Sequence, residues 1–147
     1  MQKDKFKMIV SVYLLLVRDK KVYLQKRKDT GFRDGQWGLI AGHHDGQETL
    51  KKAMIREAKE EANIDIAPVD LEFVHALHKK ENDERLEIFF KTVKWEGEPI
   101  IAEPHKAERG EWFDPDHLPE RTIDYIADVI KHVTNGQSYS EYGFDES

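Results

Sequence analysis

Hydrophobic and polar positions divide this chain into short blocks. An apolar run from Met8 to Val17 meets a charged break at Arg18–Lys20, and apolar residues resume within Lys21–Arg27. Runs of this length, rich in β-branched and aromatic residues, predict two strands joined by a tight turn. Lys28–Gly35 reads as a glycine-containing loop, Trp37–Ala41 as a short apolar stretch and Gly42–Gln47 as a compact loop. Glu48–Ala62 is dominated by Ala, Leu, Met, Glu and Lys, the composition of a helix. Asp45 followed by Glu48 resembles a capping box at its start, and Asn63 suits a left-handed stop.

Pro68–His78 and Arg85–Trp95 are predicted as further strands around a polar turn, Lys79–Glu84. A turn at Glu96–Pro99 and a polar loop at Ile100–Glu108 follow. Gly110–Phe113 suits a short strand and Pro115–Leu118 one helical turn. Thr122–Val133 is the last helix, with Ile123, Ile126, Ala127 and Ile130 along one stripe. Gly136–Ser147 is polar and aromatic without periodicity and predicts an irregular tail. With no repeat, linker or low-complexity segment, the pattern predicts a single α/β domain over residues 1–147.

The first helix breaks its own pattern. On a wheel of about 100° per residue, Ala53 and Met54 flank Leu50, but the same stripe continues into Glu57 and Glu61. Glu60 lies beside them, while Lys52, Arg56 and Lys59 gather opposite. Glu57 and Glu61 are like charges at i, i+4, and all three acids occupy the half of the helix where the macrodipole disfavours anions. A divalent cation would reverse the sign of these effects, because carboxylate oxygens are what Mg²⁺ prefers. Periodicity alone leaves two readings open, a solvated acidic face and a metal site.

Composition narrows the classes. At 147 residues the chain can bury a core without staples. It has no cysteine, which excludes disulfides, a thiolate zinc site and a thiol nucleophile, and accords with a cytoplasmic address. Met8–Val17 is too short to span a bilayer and no small-residue cleavage site follows it, so neither secretion nor membrane association is expected. A net charge of −6 argues against binding a nucleic-acid polymer. It is compatible with a small phosphorylated ligand held through a divalent cation.

Taken as one unit, Gly42, Glu48, Arg56-Glu57, Glu60-Glu61 and Ile64 closely resemble the Nudix box. Three positions depart from it: Asn63 replaces the late glycine, Ala58 a bulkier aliphatic residue, and Gln47 a common glycine. Asn tolerates positive φ, so the first change is conservative. Gly110-Glu111-Trp112-Phe113 followed by Leu118-Pro119 also resembles a late segment of that family. The resemblance implies a Nudix-type α/β/α sandwich with a mixed central sheet. It implies a Mg²⁺-dependent hydrolase, with Mn²⁺ as a possible substitute, cleaving a diphosphate linkage in a small nucleotide-like substrate.

Residue by residue, the resemblance implies Glu57, Glu60 and Glu61 as metal ligands, with the Gly42 carbonyl joining from the loop. Arg56 would orient Glu57 and anchor the loop by bidentate pairing. Glu48 has three open roles: a partner of Arg56, a support for the metal, or a cap. The general base is open among Glu57, Glu60 and a carboxylate of the later loop, Glu103 or Glu108, either of which could also serve a second metal. His105 is read as a surface histidine. Lys26 and Arg27 are candidates for phosphate contacts, and Trp37, Phe89, Trp112 and Tyr125 for base stacking. Zinc at His43-His44-Asp45 is not expected, because adjacent histidines in a short loop rarely share an ion. His75 and His78, three apart on a strand, should face opposite sides.

Substrate is less determined. No proline lies between Pro68 and Pro99 and no tyrosine between Tyr23 and Tyr125, which weakens ADP-ribose and dinucleoside polyphosphate readings. A nucleoside triphosphate, oxidised or non-standard forms included, is the default, giving monophosphate and pyrophosphate. Sugar nucleotides and other diphosphates stay open, as does a nucleotide-binding regulatory module. An isoprenoid diphosphate isomerase would bring a cysteine that this chain lacks.

Overall fold

The computed structural model describes residues 4–144. Its strands are β1 (Ile9–Arg18), β2 (Lys21–Arg27), β3 (Trp37–Gly38), β4 (Ile40–His43), β5 (Glu72–Glu81), β6 (Asp83–Thr92), β7 (Ala107–Phe113) and β8 (Tyr139–Tyr142). Two helices accompany them, α1 (Leu50–Ala62) and α2 (Asp124–Thr134). The sheet runs β3-β2-β1-β6-β5-β8, with β4 added to β1 and β7 to β2. β1–β6 and β5–β8 are parallel and the other pairs antiparallel, so the sheet is mixed.

Strand alternation sorts β1 between two cores. Val12, Leu14 and Leu16 pack with Ala53, Met54, Ala58 and Ala62 of α1. Leu15 packs with Tyr125, Ile126, Val129 and Ile130 of α2, on the opposite face. The result is the α/β/α sandwich that the resemblance implied. Among the described residues no helix is long and apolar enough to cross a membrane.

Several expectations need correction. α1 opens at Thr49, whose side chain accepts from the Lys52 amide, so Asp45 and Glu48 do not form the cap. The other end follows the sequence reading: Asn63 takes φ 55 and closes α1 in the left-handed region. Pro68–Asp70 is a 3₁₀ turn rather than the start of a strand. β5 and β6 run through the expected polar turn and reverse at Asn82, φ 67, with Lys79 buried against Glu87 and His78 paired to Glu84 across the hairpin. Pro115–Leu118 forms a turn closed by the His117 amide on the Asp114 carbonyl, not a helix. The tail expected at Gly136–Ser147 contains β8, paired to β5 through Tyr139–Tyr142. Its residues 145–147 lie outside the described range.

His75 explains how that strand is held. The imidazole is buried, with Nδ1 2.9 Å from the Gln137 carbonyl and Nε2 2.7 Å from Ser140 Oγ. His78 lies on the other side of the strand and meets Glu84 at 3.0 Å. The two histidines do face opposite ways.

Candidate active site

β4 is four residues long and pairs with β1 so that Val12 opposes Gly42. α1 packs over this strand, and its acidic residues fall at the edge of the buried face. The apolar residues Met54, Ala58 and Ala62 lie against the sheet. The adjoining stripe, Ala53-Glu57-Glu61, runs beside them toward β4. The helix therefore carries two neighbouring stripes, where the wheel suggested one stripe changing character halfway along.

Gly42 makes this approach possible. A Cβ at position 42 would stand 2.1 Å from Glu57 Cδ, far inside van der Waals contact. Only a residue without a side chain leaves space for the carboxylate. Glu61 reaches the same strand from the next turn and accepts the Ala41 amide at 3.1 Å. Arg56 ties the group together: its guanidinium donates to Glu48 at 2.7 and 3.3 Å and to Glu57 at 2.9 Å. It also stands 3.6 Å from Glu60 and 3.5 Å from Asp45. Thus Glu48, freed from any capping role, is a partner of Arg56.

Burial works against the charged forms here. It pushes the Glu61 carboxyl up to about 8, with the neighbouring Glu57 charge adding to the effect. Burial also raises Glu57, although Arg56 opposes it. Glu48 moves the other way, drawn below the usual range by its hydrogen bonds from Arg56. Two half-buried carboxyls one turn apart, one above neutrality, form a site short of positive charge. Among the described residues no three histidine or acidic side chains already stand in metal-holding geometry. Glu57 is turned to Arg56 and Glu61 to the Ala41 amide. The donor set nevertheless fits a hard cation, since it offers carboxylate oxygens and a bare glycine backbone.

These groups line a cleft of about 420 Å³ with Gln25, Arg27, Thr30, Glu103 and Lys106. A second lobe of about 400 Å³ opens on the α2 side of the sheet, lined by Ser11, Tyr13, Phe32, Lys79, Arg85 and Tyr125 among others. Arg27, Leu39, Ala41, Gly42 and His43 line both. The lobes share one wall, built largely from β4.

The other candidates divide sharply. Glu103 lines the acidic lobe, whereas Glu108 pairs with Lys26 at 3.4 Å and neither of those two lines a lobe. Arg27 lines both lobes and holds the following loop through the Phe32 carbonyl and Thr30 Oγ. Glu60 is half exposed, at 51%, and lies beside Arg56 outside the lining of the cleft. Of the four aromatics, Tyr125 lines the second lobe. Trp37 is core, packed edge-on against Phe113. Phe89 is fully buried beneath Tyr13, its ring stacked at 4.7 Å. Trp112 packs on Tyr23 and Trp95 under Arg18, away from both lobes. The sequence reading missed Tyr13, Phe32 and Lys79. Phe32 carried a signal, as an aromatic in an otherwise polar, glycine-containing loop. Lys79 carried none, since a lysine at the mouth of a charged hairpin ordinarily faces water.

An acidic helix seated on a glycine strand, within a mixed sheet covered by one helix on each face, defines the class of fold. A family model of the NUDIX domain matches residues 6–133, and the chain belongs to this family, as a Nudix hydrolase. Among solved structures it resembles a MutT NUDIX hydrolase from Burkholderia pseudomallei, with 24% identity and TM-score 0.79, covering 86% of this chain and 98% of that one. It also resembles a MutT protein from Methanosarcina mazei Go1, at 19% identity, TM-score 0.77, and 90% and 97% coverage. A bifunctional NMN adenylyltransferase/ADP ribose pyrophosphatase from Francisella tularensis, complexed with AMP and a Mn ion, matches at 18% identity and TM-score 0.70. That match covers 88% of this chain and 42% of the other.

Proposed function

We propose that this protein hydrolyses a nucleoside triphosphate to monophosphate and pyrophosphate with Mg²⁺, for which Mn²⁺ can substitute. The observation that carries the reading is the Glu57 carboxylate occupying the space of a missing Cβ at Gly42, with Glu61 one turn away. A divalent cation would relieve the crowding of carboxylates that Arg56 and the Ala41 amide only partly offset. The AMP and Mn ion held by the similar Francisella tularensis enzyme support the same chemistry.

Glu57, Glu60, Glu61 and the Gly42 carbonyl are the residues that would hold the ion. When bound, it would neutralise phosphate charge and lower the pKa of a water. Arg56 keeps Glu57 oriented and fastens the Asp45–Glu48 loop to the helix. Arg27 and Lys106 give the cleft positive side chains for phosphate oxygens. Glu103 lines the same cleft and would take a proton from the attacking water, with Glu57 and Glu60 as its rivals. The water oxygen bonds to phosphorus as the bridging oxygen departs with pyrophosphate.

Release of phosphate and pyrophosphate is measured across nucleoside triphosphates, sugar nucleotides and dinucleotides, with Mg²⁺ and with a chelator. Chelator-sensitive release from triphosphates is expected, and Glu60→Gln should abolish it without changing the melting temperature. Preserved activity in that variant would remove Glu60 from the metal set. Release only from sugar nucleotides or dinucleotides would replace the substrate. Tight nucleotide binding without turnover would instead make this a regulatory binding module.

A further inference from the structure

β8 reaches the cleft through a chain of side chains that the hydrolysis does not use. The strand lies beyond residues 6–133, which the family domain spans, and it is anchored along its length. The buried His75 imidazole meets the Gln137 carbonyl and Ser140 Oγ, and the Ala76 amide donates to the Ser138 carbonyl at 2.8 Å. Parallel pairing then places Tyr142 opposite Lys79. Gly143 follows at φ 85, where a Cβ would overlap the Lys80 carbonyl oxygen, so only glycine lets the chain lie against β5 here. Tyr142 is thereby fixed beside Tyr125, with ring centres 5.5 Å apart, and its hydroxyl donates to Asp124 Oδ2 at 2.7 Å.

Asp124 carries the contact onward. Its Oδ1 accepts from Arg33 at 3.2 Å, and Arg33 also pairs with Glu81 at the end of β5. Burial opposes the Asp124 charge, but hydrogen bonds from Tyr142 and the Tyr125 amide, together with the Arg33 charge, hold it ionised. Arg33 belongs to the 28–36 loop and takes φ 54, in the left-handed region. A residue with a side chain persists there only where its surroundings hold it. The loop is braced from within, since Asp34 accepts from the Thr30 amide at 3.0 Å and the Gly31 amide at 3.1 Å. Among the described residues, the hydrogen bonds that tie residues 29–34 to elements outside the loop come from Arg27, at its root, and from Arg33. Thr30 lines the acidic lobe and Phe32 the other, so the seating of this one loop shapes both mouths.

We infer that β8 is a strap for the 28–36 loop, and that Tyr142, acting through Asp124 and Arg33, is a positioning residue for substrate binding. Tyr142 itself lines neither lobe. With the loop released, only a fraction of molecules stands ready to bind, and KM rises by the inverse of that fraction. The acids of α1 take no part in the relay, so kcat should hold. The effect on binding rests on the reading that this cleft hydrolyses a nucleoside triphosphate, whereas the strap itself does not.

The test measures amide hydrogen exchange in the wild-type chain and in Tyr142→Phe, which removes one hydroxyl and keeps the ring. Exchange across residues 28–36 should quicken about tenfold, the worth of one hydrogen bond to a charged group, while α1 and β1 stay as slow as before. Arg33→Met should release the loop by itself, and Tyr142→Phe added to it should change nothing more. Kinetics with ATP, GTP, CTP and UTP give the second readout. For any of these that is hydrolysed, Tyr142→Phe should raise KM severalfold at unchanged kcat. Unaltered loop exchange in Tyr142→Phe, or quickened exchange throughout the sheet, overturns the strap. A further increase in the Arg33→Met background overturns the relay through Arg33. A lower kcat at unchanged KM overturns the role in binding. A quickened loop with no hydrolysis of the four nucleotides upholds the strap and overturns the triphosphate reading.

Discussion

The two lobes of the cleft share a wall and differ in how the chain assembles them. In the acidic lobe the central contacts are local: Arg56 adjoins Glu57 in sequence and reaches Glu48 eight residues away. The other lobe collects Ser11 and Tyr13 from β1, Phe32 from a loop, Lys79 from β5, Arg85 from β6 and Tyr125 from α2. Its loop is fastened by Arg33 to Glu81 and to Asp124, 91 residues distant. Helical spacing aligns the acids and Arg56 of the first group, which then need β4 beside them, whereas strand pairing and loop closure must all succeed to create the second.

The contrast can be broken most forcefully at Glu57. Glu57→Gln should lower metal-dependent kcat/KM by at least about 100-fold, since partners one step further from a metal already cost 10- to 100-fold. The melting temperature in chelator should hold or rise, because a half-buried charge has been removed. Steady-state kinetics beside a thermal melt decides this, and a large loss of stability would mean that Glu57 is structural. Arg56→Lys comes next. It keeps the charge but gives up the fork that grips Glu48 and Glu57 together. The expected loss is about tenfold, with a higher Mg²⁺ concentration for half-maximal rate. An unchanged Mg²⁺ requirement would show that Arg56 does not act through the acids.

How much could be seen beforehand follows the same division. The helix, its left-handed end at Asn63 and the acid spacing are local, and all were legible. The strand blocks were legible too, but their ends were misjudged where charge conceals burial. Lys79 seemed to open a polar turn because its partner Glu87 is revealed only by strand register. β8 escaped notice because Tyr139-Ser140-Glu141-Tyr142 is a short, half-exposed edge whose anchor is His75, far away in sequence. Trp37, Phe89 and Trp112 showed the opposite failing: aromatic identity suggested a ligand, and packing used all three elsewhere.

A test on stability rather than rate belongs to Glu61 in metal-free protein. Below the ordinary carboxylate pKa both folded and unfolded chains hold this proton, and its contribution to stability is intact. As pH rises toward about 8 the unfolded chain releases the proton and the folded one retains it. Stability therefore falls through that window, by at most about 1.4 kcal/mol per pH unit. Melts in chelator between pH 5 and pH 8, as an order-of-magnitude window about the carboxylate range, should show the decline, and Glu61→Gln should flatten it. An unchanged slope in the variant would assign the decline to other groups.

Gly42 also governs the aim of its neighbour. With any side chain at position 42, Glu57 has no room to face β4. With glycine there and a shorter residue at position 57, the strand merely borders a small gap. The clash falls on the far end of a flexible side chain, so a residue added at position 42 would turn Glu57 aside rather than bar it from the helix. The missing methyl decides where the glutamate points, as well as the shape of the cleft.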